Sequence, residues 1–314
     1  MFSVIIPVYN GEKFIRQAIE CVRRQSFTAW ELIIVNDGSR DGTARILDSY
    51  AGDARIRIIH QANGGVSAAR NAAIAAANHD YLAFLDADDL WYDNHLQVLA
   101  ELIEKYPDAG LYGTAAGVEF ADGSRGDFTA FFNGKPDTLY LEDFFEAYAR
   151  DTGAKCYNMN SNCFRREAAL AGGCFREGCK IGEDLALSLW ISAYYPVVLD
   201  RRVTTLYQRG NSTATRDGAF DTDWFFFEEA KALINDPAIP EEKRRNIARV
   251  MDWFQMRRSR HYMIEARRKE AIDAFRKIRN KRALGKDSLI TAALLLMPCS
   301  LVRRIFEMRW RSKA

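Results

Sequence analysis

Short apolar runs alternate with segments of helical periodicity through the first part of the chain. The runs at 3–8, 32–35, 56–59 and 81–85 are largely continuous rather than alternating, which is typical of strands covered on both faces. Between them, apolar residues recur on one helical face at 12–24, 43–50, 66–77 and 93–105. This order predicts an α/β fold, with a mostly parallel sheet and helices on both of its faces.

The alternation of predicted strands and helices is less regular after residue 110. Strands are expected at 111–120 and 157–164, helices at 141–149 and 183–194, and extended segments at 196–199 and 203–207. From Thr222 onward the pattern is mostly helical. We therefore expect one α/β domain at 1–220, divided into a ligand-binding half at 1–110 and a second half at 111–220. A helical C-terminal region is expected at 221–314.

Each of the first four predicted strands is followed by a polar loop. These loops are 9–11, 36–39, 61–65 and 86–89. In open α/β sheets, ligands bind beyond the carboxyl ends of the strands. All four loops are therefore expected to converge on one edge of the sheet and to form a binding site there.

The loop at 86–89 contains three acids, Asp86, Asp88 and Asp89, directly after an apolar run. Turn and capping chemistry is one explanation, and Asp89 fits it. A bound cation is the other, because neighbouring carboxylates repel each other and are costly to desolvate. Asp86 and Asp88 lie two residues apart, and carboxylates are the hard ligands that Mg²⁺ or Mn²⁺ prefers.

Two residues on the other loops suit a nucleotide. Tyr9 can stack on a base, and Asp37 can accept a hydrogen bond from a base N–H. Together with an acid pair for a metal ion, they indicate a nucleoside-diphosphate site. A glycine-rich dinucleotide fingerprint and a phosphate-binding P-loop motif are both absent from the sequence, which disfavours those two nucleotide-binding modes.

Four stretches resemble the nucleotide-sugar-binding half of the family 2 inverting glycosyltransferases, which have the GT-A (Rossmann-like) fold. They are SVIIPVYNGEKFI (3–15), LIIVNDGSRDGT (32–43), IIHQANGGVSAARNAAI (58–74) and YLAFLDADDLW (81–91). The resemblance implies that Asp86 and Asp88 form a DxD-type motif, in which Asp88 binds Mn²⁺ or Mg²⁺ on the diphosphate. It also implies a nucleotide-sugar pocket lined by Pro7, Val8, Tyr9, Asn10, Glu12, Asp37, Asn63, Gly65, Arg70, Asp86 and Ala87.

The resemblance extends more weakly to GEDLALSLW (182–190). It implies that 1–220 is a GT-A catalytic domain with a nucleotide-sugar-binding half at 1–110 and an acceptor half at 111–220. It also implies that Asp184 is the general base, with Glu183 orienting it or the acceptor. Acids in the first turn of a helix also stabilise the helix dipole without any catalytic role. The stretch YQRGNST (207–213) resembles a loop that closes over the diphosphate, with Arg209 contacting phosphate. The metal is then held by this loop, or by Asp88, the diphosphate and water alone.

The expected function is an inverting, metal-dependent transfer of a sugar from a UDP-sugar to a glycan acceptor, which is either free or lipid-linked. Such an enzyme belongs to polysaccharide biosynthesis. The alternative is an inactive scaffold that binds sugar nucleotides and recruits partners. The residues Asp86, Asp88, Asp184 and Arg209 favour the enzyme, because a scaffold needs no base and no metal ligand. A nucleotidyltransferase is disfavoured, since 10–13 makes a poor triphosphate loop.

Charge is distributed unevenly along the chain. Residues 241–314 contain 21 basic and 8 acidic residues, a net charge of +13, whereas the first 240 carry a net charge of −11. The uncharged stretch 288–302 has basic flanks, which predicts an amphipathic helix at 288–310. This helix is expected either on an anionic membrane surface or docked on protein. Nucleic-acid binding is not expected, because no binding module is present.

Cysteine usage and the N-terminal sequence favour a cytoplasmic protein, at the inner face of the membrane if the tail binds lipid. The six cysteines form no CxxC pair, so reduced thiols are expected rather than a zinc ribbon. Met1 runs directly into an apolar strand without the pattern of a signal peptide.

Overall fold

The computed structural model describes residues 1–150, 159–179, 182–208 and 226–311. The chain divides into two compact units, one comprising Met1–Phe144 and Gly153–Ala219 and the other Phe145–Thr152 and Phe220–Ala314. The first contains the β-sheet and the second contains the C-terminal helices. The predicted α/β fold with a helical C-terminal region is therefore confirmed. The assignment of separate roles to 1–110 and 111–220 stays a prediction.

Four parallel strands form the first part of the sheet, as the apolar runs predict. β1 (Phe2–Val8) lies between β2 (Trp30–Asp37) and β4 (Tyr81–Phe84), and β3 (Ile56–Gln61) pairs with the far side of β2. Every residue of β1 is buried, since helices cover both faces of a parallel sheet. The connecting helices are α1 (Ile15–Arg23), α2 (Thr43–Asp48) and α3 (Val66–Ala76).

The apolar residues that recur along helix α1 pack into the core. Its buried residues include Ile15, Ile19 and Val22, which recur at the spacing of one helical face. They join the core cluster that also contains Ile6 and Leu32 of the sheet. Each fully buried side chain of this size contributes about 1.5–3 kcal/mol to folding.

The second part of the sheet mixes strand directions. Antiparallel β9 (Asn162–Arg165) lies between β4 and β6 (Leu111–Glu119), and β6 pairs in parallel with β10 (Val197–Gln208). The extended segments predicted at 196–199 and 203–207 form this one strand, whose register shifts after Asp200. The remaining short strands are β5 (Leu90–Trp91), β7 (Arg125–Asp127) and β8 (Thr138–Leu141).

Four further helices belong to this part of the chain. They are α4 (His95–Lys105), α5 (Phe144–Arg150), α6 (Arg166–Ala171) and α7 (Glu183–Tyr194). The helix predicted at 141–149 begins only at Phe144, because Leu141 pairs with Val197 as a strand residue of β8. The predicted bounds of α7 are correct.

The register of the parallel strands brings the polar loops to one edge. Val8 pairs with Asn36, Asn36 pairs with His60, and Ile5 pairs with Phe84. The strands β1 to β4 therefore end at similar levels and point the same way. The loops that follow them share the carboxyl edge of the sheet, where α/β folds bind their ligands.

The C-terminal unit contains most of α5 together with the helices of the last part of the chain. The latter are α8 (Phe226–Asn235), α9 (Glu241–Ile264), α10 (Arg268–Arg276), α11 (Gly285–Leu296) and α12 (Cys299–Arg311). The prediction of a single helix at 288–310 is wrong. The chain forms two helices there, because Pro298 cannot supply a backbone N–H to continue α11. Within the described residues, no helix combines the length and the hydropathy that a membrane span requires.

Candidate active site at the carboxyl edge of the sheet

The loops after β1 and β2 are joined by reciprocal hydrogen bonds. The Asn10 N–H donates to Ser39 Oγ over 2.9 Å, and the Arg40 N–H donates back to Asn10 Oδ1 over 2.8 Å. Glu12 Oε2 accepts from the Gly42 N–H over 2.7 Å. Asn10 and Glu12, both predicted to line the pocket, therefore hold two of its loops together.

Asp37 ties the loop after β2 to the loop after β3. Its Oδ1 accepts from Gln61 Nε2 (2.7 Å) and the Gly64 N–H (2.9 Å), and its Oδ2 accepts from the Gly65 N–H (2.8 Å). Asn63 Nδ2 donates to the Asp37 carbonyl over 2.9 Å. Because an ionised carboxylate has about four acceptor positions, these three donors leave one, on Oδ2.

Tyr9 lies at the end of β1 with 49% of its surface exposed, whereas Pro7 and Val8 before it are buried. Among the described residues, no ring or hydrogen-bond partner engages the Tyr9 side chain. Its aromatic face is therefore available to a ligand. The neighbouring Gly11 lies close to the acid loop, since a Cβ built on it would lie 3.8 Å from the Ala87 Cβ.

The three acids after β4 have different surroundings. Asp86 Oδ1 accepts from Arg70 Nη2 over 2.8 Å. Asp89 is almost fully buried, and its Oδ1 accepts from the Gln208 N–H over 2.8 Å. Asp88 is half-buried, and no side chain of the described residues pairs with its carboxylate. Burial, and then the charge of Asp86, raise the pKa of Asp88, so a nearby cation would relieve an unfavourable environment.

Asn160 holds this acid loop in place. Its Oδ1 accepts from the Asp86 N–H over 2.5 Å, and its Nδ2 donates to Asp89 Oδ2. Its carbonyl oxygen accepts from Trp91 Nε1 over 2.6 Å. Asn160 is buried in the middle of a short 3₁₀ turn, Met159–Ser161, that precedes β9. One residue therefore fixes both the backbone of Asp86 and the carboxylate of Asp89.

Arg70 is buried between two acids of different parts of the chain. Its Nη2 contacts Asp86, and its Nη1 donates to Glu183 Oε1 over 2.8 Å. The Phe175 ring lies beneath the guanidinium, with the ring centroid 5.2 Å from Cζ. Burial alone would lower the pKa of Arg70, but Asp86, Glu183 and Asp184 together raise it. The guanidinium thus remains charged and compensates the two carboxylates that it contacts.

Glu183 and Asp184 begin helix α7 but differ in environment. Glu183 is buried and paired with Arg70, and burial followed by the charge of Asp184 raises its pKa. Asp184 is more exposed, and its Oδ1 accepts from the adjacent Leu185 N–H over 2.7 Å. Asp184 also acts electrostatically on Arg70. The two acids therefore lie beside the same guanidinium, and Asp184 is the one with an accessible carboxylate.

Residues 3–171 match a model of the glycosyl transferase family 2. This is more than half of the chain. The chain belongs to glycosyl transferase family 2. The match covers every predicted donor-site residue from Pro7 to Asp88, whereas Glu183 and Asp184 lie beyond it.

Similarity to individual proteins agrees with this family. EpsJ of Bacillus subtilis (strain 168), named an uncharacterised glycosyltransferase, is 46% identical over 106 residues, which are 33% of this chain and 31% of EpsJ. The chain spans about a third to a half of the length of the first curated relatives that it matches.

Two solved structures show the same fold. S. aureus TarS in complex with UDP-GlcNAc has a TM-score of 0.72 at 17% identity, covering 98% of this chain and 91% of that one. The mannosyltransferase PcManGT of Pyrobaculum calidifontis, in complex with GDP-Man and Mn²⁺, has a TM-score of 0.58 at 16% identity, covering 96% and 83%. The GT-A fold expected from the sequence is therefore confirmed.

The carboxylates of the acid loop are the candidate ligands for a metal ion at this site. The described residues contain no group of three or more His, Cys, Asp and Glu side chains that could hold a metal ion. Asp88, with Asp86 beside it, supplies hard oxygen ligands at the predicted position. A cation held here would need further oxygen ligands from its surroundings. Arg209 and most of the predicted closing loop at 207–213 lie outside the described residues.

Sequence reasoning missed Asn160 entirely. Its hydrogen-bond partners Asp86, Asp89 and Trp91 lie about seventy residues earlier in the chain. The segment around it, YNMNSN at 157–162, contains no catalytic or ligand-binding motif. The pairing of β9 with β4 brings this asparagine to the acid loop.

Proposed function

We propose that this chain transfers a sugar from UDP-sugar to an acceptor hydroxyl, by a metal-assisted single displacement that inverts the anomeric centre. One observation carries the proposal. The half-buried Asp88 has no cationic partner among the described residues, and it lies in the same loop as Asp86, whose partner Arg70 also pairs with Glu183 at the start of α7. This arrangement leaves one carboxylate for a donor-bound cation and another for the acceptor.

The loops after β1 and β2 suit a uracil base. Tyr9 offers an exposed aromatic face for stacking, and stacked bases gain about 1–3 kcal/mol each. Asp37 Oδ2 has one acceptor position left after the Gly65 N–H. Uracil presents one ring N–H at N3, whereas guanine presents N1–H and an amino group and needs two acceptors. The complex of TarS with UDP-GlcNAc supports the same choice of nucleotide.

Asp88 would hold a divalent cation, while Asp86 beside it keeps its contact with Arg70. When bound, Mn²⁺ or Mg²⁺ supplies Lewis-acid neutralisation of the charge on a leaving diphosphate. The donor chemistry fits, because Asp88 is a carboxylate without a cationic partner among the described residues and burial raises its pKa. With Asp88 as its protein ligand, a bound cation would take its remaining ligands from phosphate oxygens and water, as is common for Mg²⁺. The Mn²⁺ in the PcManGT complex supports this proposal.

Asp184 is proposed as the general base. The acceptor oxygen attacks the anomeric carbon, its proton passes to the Asp184 carboxylate, and the bond from that carbon to the diphosphate oxygen breaks. Asp184 suits this role better than Glu183, because Arg70 already occupies Oε1 of the buried Glu183. Glu183 instead positions α7 and its neighbouring base. A general base of this kind contributes typically 10²–10⁴-fold to a rate.

The proposed acceptor is a glycan hydroxyl, either free or on a lipid carrier. An inactive scaffold would bind the donor equally well but would need neither the accessible carboxylate of Asp184 nor an unpaired Asp88. The two functions therefore differ in turnover and not in binding.

The deciding experiment measures UDP release from UDP-sugars with Mn²⁺, in the native protein and in Asp88→Asn. Mn²⁺-dependent release that disappears in Asp88→Asn supports the transferase. The exposed Asp93 makes only a long ion pair of 3.6 Å with Arg24, so Asp93→Asn is the matched control and should retain full activity. Donor binding without UDP release in the presence of varied glycan acceptors would favour the scaffold.

A further inference from the structure

Helices α11 and α12 expose four large apolar side chains. They are Leu289, Ile290, Leu296 and Leu301, with 72%, 45%, 85% and 45% of their surfaces exposed, and they are called the apolar patch below. Large side chains exposed to this extent are scattered singly on most proteins, whereas three of these four lie on the single helix α11. These four come from thirteen consecutive residues of the chain.

The two sides of α11 reverse the usual arrangement of a surface helix. Its core-facing side buries Ser288 and Thr291 together with Leu294. Its solvent-facing side carries Leu289 and Leu296, which are seven residues apart and so lie on one helical face. A surface helix normally turns its apolar face to the core. The outer side of α11 is thus the more apolar one, which is suited to an apolar environment.

Specific contacts hold the inner side of α11 against the rest of the unit. They determine which side of the helix faces solvent. Arg260 of α9 donates through Nε to Thr291 Oγ1 over 2.7 Å and through Nη2 to Asp287 Oδ1 over 2.9 Å. Leu294 and Val302 pack into the cluster that contains Tyr262 and Met263. Rotating α11 to bury its leucines would break the buried polar contacts.

The charges around the apolar patch are basic. Lys286 precedes it, and Arg303 and Arg304 follow Leu301, all three with exposed side chains. The chain from 288 to 306 contains no acidic residue. The acid nearest in sequence before it, Asp287, is already paired with Arg260. An apolar face rimmed by cations is complementary to an anionic bilayer, where the leucines enter the acyl boundary and the basic heads contact phosphates.

We propose that the apolar patch is a docking surface for an anionic lipid bilayer. The C-terminal unit binds the membrane surface without crossing it, through two short helices that lie in the interface. This proposal is independent of the transfer reaction, because it depends on residues of the other unit. It gives a physical reason for the high positive charge of residues 241–314.

The test is co-sedimentation of the full chain with vesicles of phosphatidylcholine alone or mixed with phosphatidylglycerol. The protein should sediment with the anionic vesicles and be released at high salt, since the attraction to anionic lipid is screened. Leu296→Ser changes a side chain that is 85% exposed, so the fold should survive. It should lower vesicle binding roughly tenfold, the usual value of burying one leucine.

Two further variants test the contribution of the arginine charges to vesicle binding and provide a control for the leucine substitution. Arg303→Gln with Arg304→Gln should weaken binding to anionic vesicles by roughly fivefold per charge. Leu170 is 48% exposed in the other unit, and Leu170→Ser is the matched control, with unchanged binding expected.

Light scattering on a size-exclusion column measures the oligomeric state. It thereby tests whether a second copy of the chain, rather than lipid, covers the apolar patch. A dimer that Leu296→Ser dissociates, combined with no vesicle binding, would overturn the proposal in favour of a protein interface. Vesicle binding that Leu296→Ser and the arginine variants leave unchanged would also overturn it.

Discussion

Arg70 Nη1 lies 2.8 Å from Glu183 Oε1, although the two residues are 113 positions apart in the chain. The same guanidinium contacts Asp86 through Nη2. One buried cation therefore connects the acid loop after β4 to the start of α7. Both ends of the candidate active site depend on this one side chain.

Arg70→Met should destabilise the protein by about 3 kcal/mol, because removing one member of a buried ion pair leaves the acids uncompensated. Combining it with Glu183→Gln should recover part of that loss, since one of the uncompensated charges is then removed. Urea unfolding of the two variants measures both effects. The exposed Arg45 provides the control, and a loss as large in Arg45→Met would contradict the assignment.

Asp184→Asn should reduce turnover by about 10²–10⁴-fold and leave the affinity for UDP unchanged, because the proposed base acts only on the acceptor. Steady-state kinetics and calorimetric UDP titration check the two parts. Glu183→Gln should instead lower the free energy of unfolding through its lost contact to Arg70. Full activity in Asp184→Asn, with the loss found in Glu183→Gln, would move the base to Glu183.

Tyr9→Ala should raise the KM for the UDP-sugar about tenfold through lost stacking, whereas Tyr9→Phe should retain most of the affinity. Neither change should alter stability, because the Tyr9 side chain lies half in solvent. Tyr92 is similarly exposed at 42%, so Tyr92→Ala is the natural comparison. Equal effects at both positions would show that Tyr9 has no particular contact with the donor.

Asn160→Ala should cost about 2 kcal/mol of stability, because the buried Asp89 carboxylate and Asp86 N–H each lose a partner. It should also weaken the apparent affinity for Mn²⁺, since the acid loop would no longer hold Asp88 in place. Manganese titration of UDP release detects the second effect. A variant that is less stable but has unchanged manganese dependence would restrict Asn160 to a structural role.

His95 should make stability depend on pH. Its side chain is fully buried, its Nδ1 lies 2.7 Å from Thr204 Oγ1, and burial lowers its pKa to about 3. Between pH 6.5 and 3 the unfolded chain binds a proton that the folded chain does not. The contribution of His95 to stability is therefore complete above pH 6.5 and declines by about 1.4 kcal/mol per unit as the pH falls below it.

Urea unfolding at several pH values measures this slope. His95→Asn keeps a polar group facing Thr204 but cannot gain the proton, so the variant should lose that part of the slope. An unchanged pH profile in His95→Asn would assign the dependence to other groups.

The sequence predicted the strands and loops of the first part of the sheet because they depend on local patterns. The runs at 3–8 and 32–35 are buried strands, and the polar loops after them lie at one edge. The different partners of Asp86, Asp88 and Asp89 could not be predicted, because Arg70, Asn160 and Gln208 reach them only through tertiary packing.

Two errors of the sequence prediction have similar causes. Thr138–Leu141 forms strand β8 because it pairs with β10, about sixty residues away, and no local signal announces such a partner. Two helices form where one was predicted at 288–310, because Pro298 interrupts the backbone hydrogen bonds of a helix even though the residues around it are apolar. In both places a specific constraint overrides the hydrophobic periodicity.

The hydrogen bonds among the loops at the sheet edge have a thermodynamic consequence. Asn10, Glu12 and Asp37 already hold their loops in the ligand-free chain. A donor that binds there meets a preorganised surface and loses little conformational entropy in shaping it. Binding of the uridine part should therefore be accompanied by a small change in heat capacity, unlike the large change that accompanies coupled folding and binding.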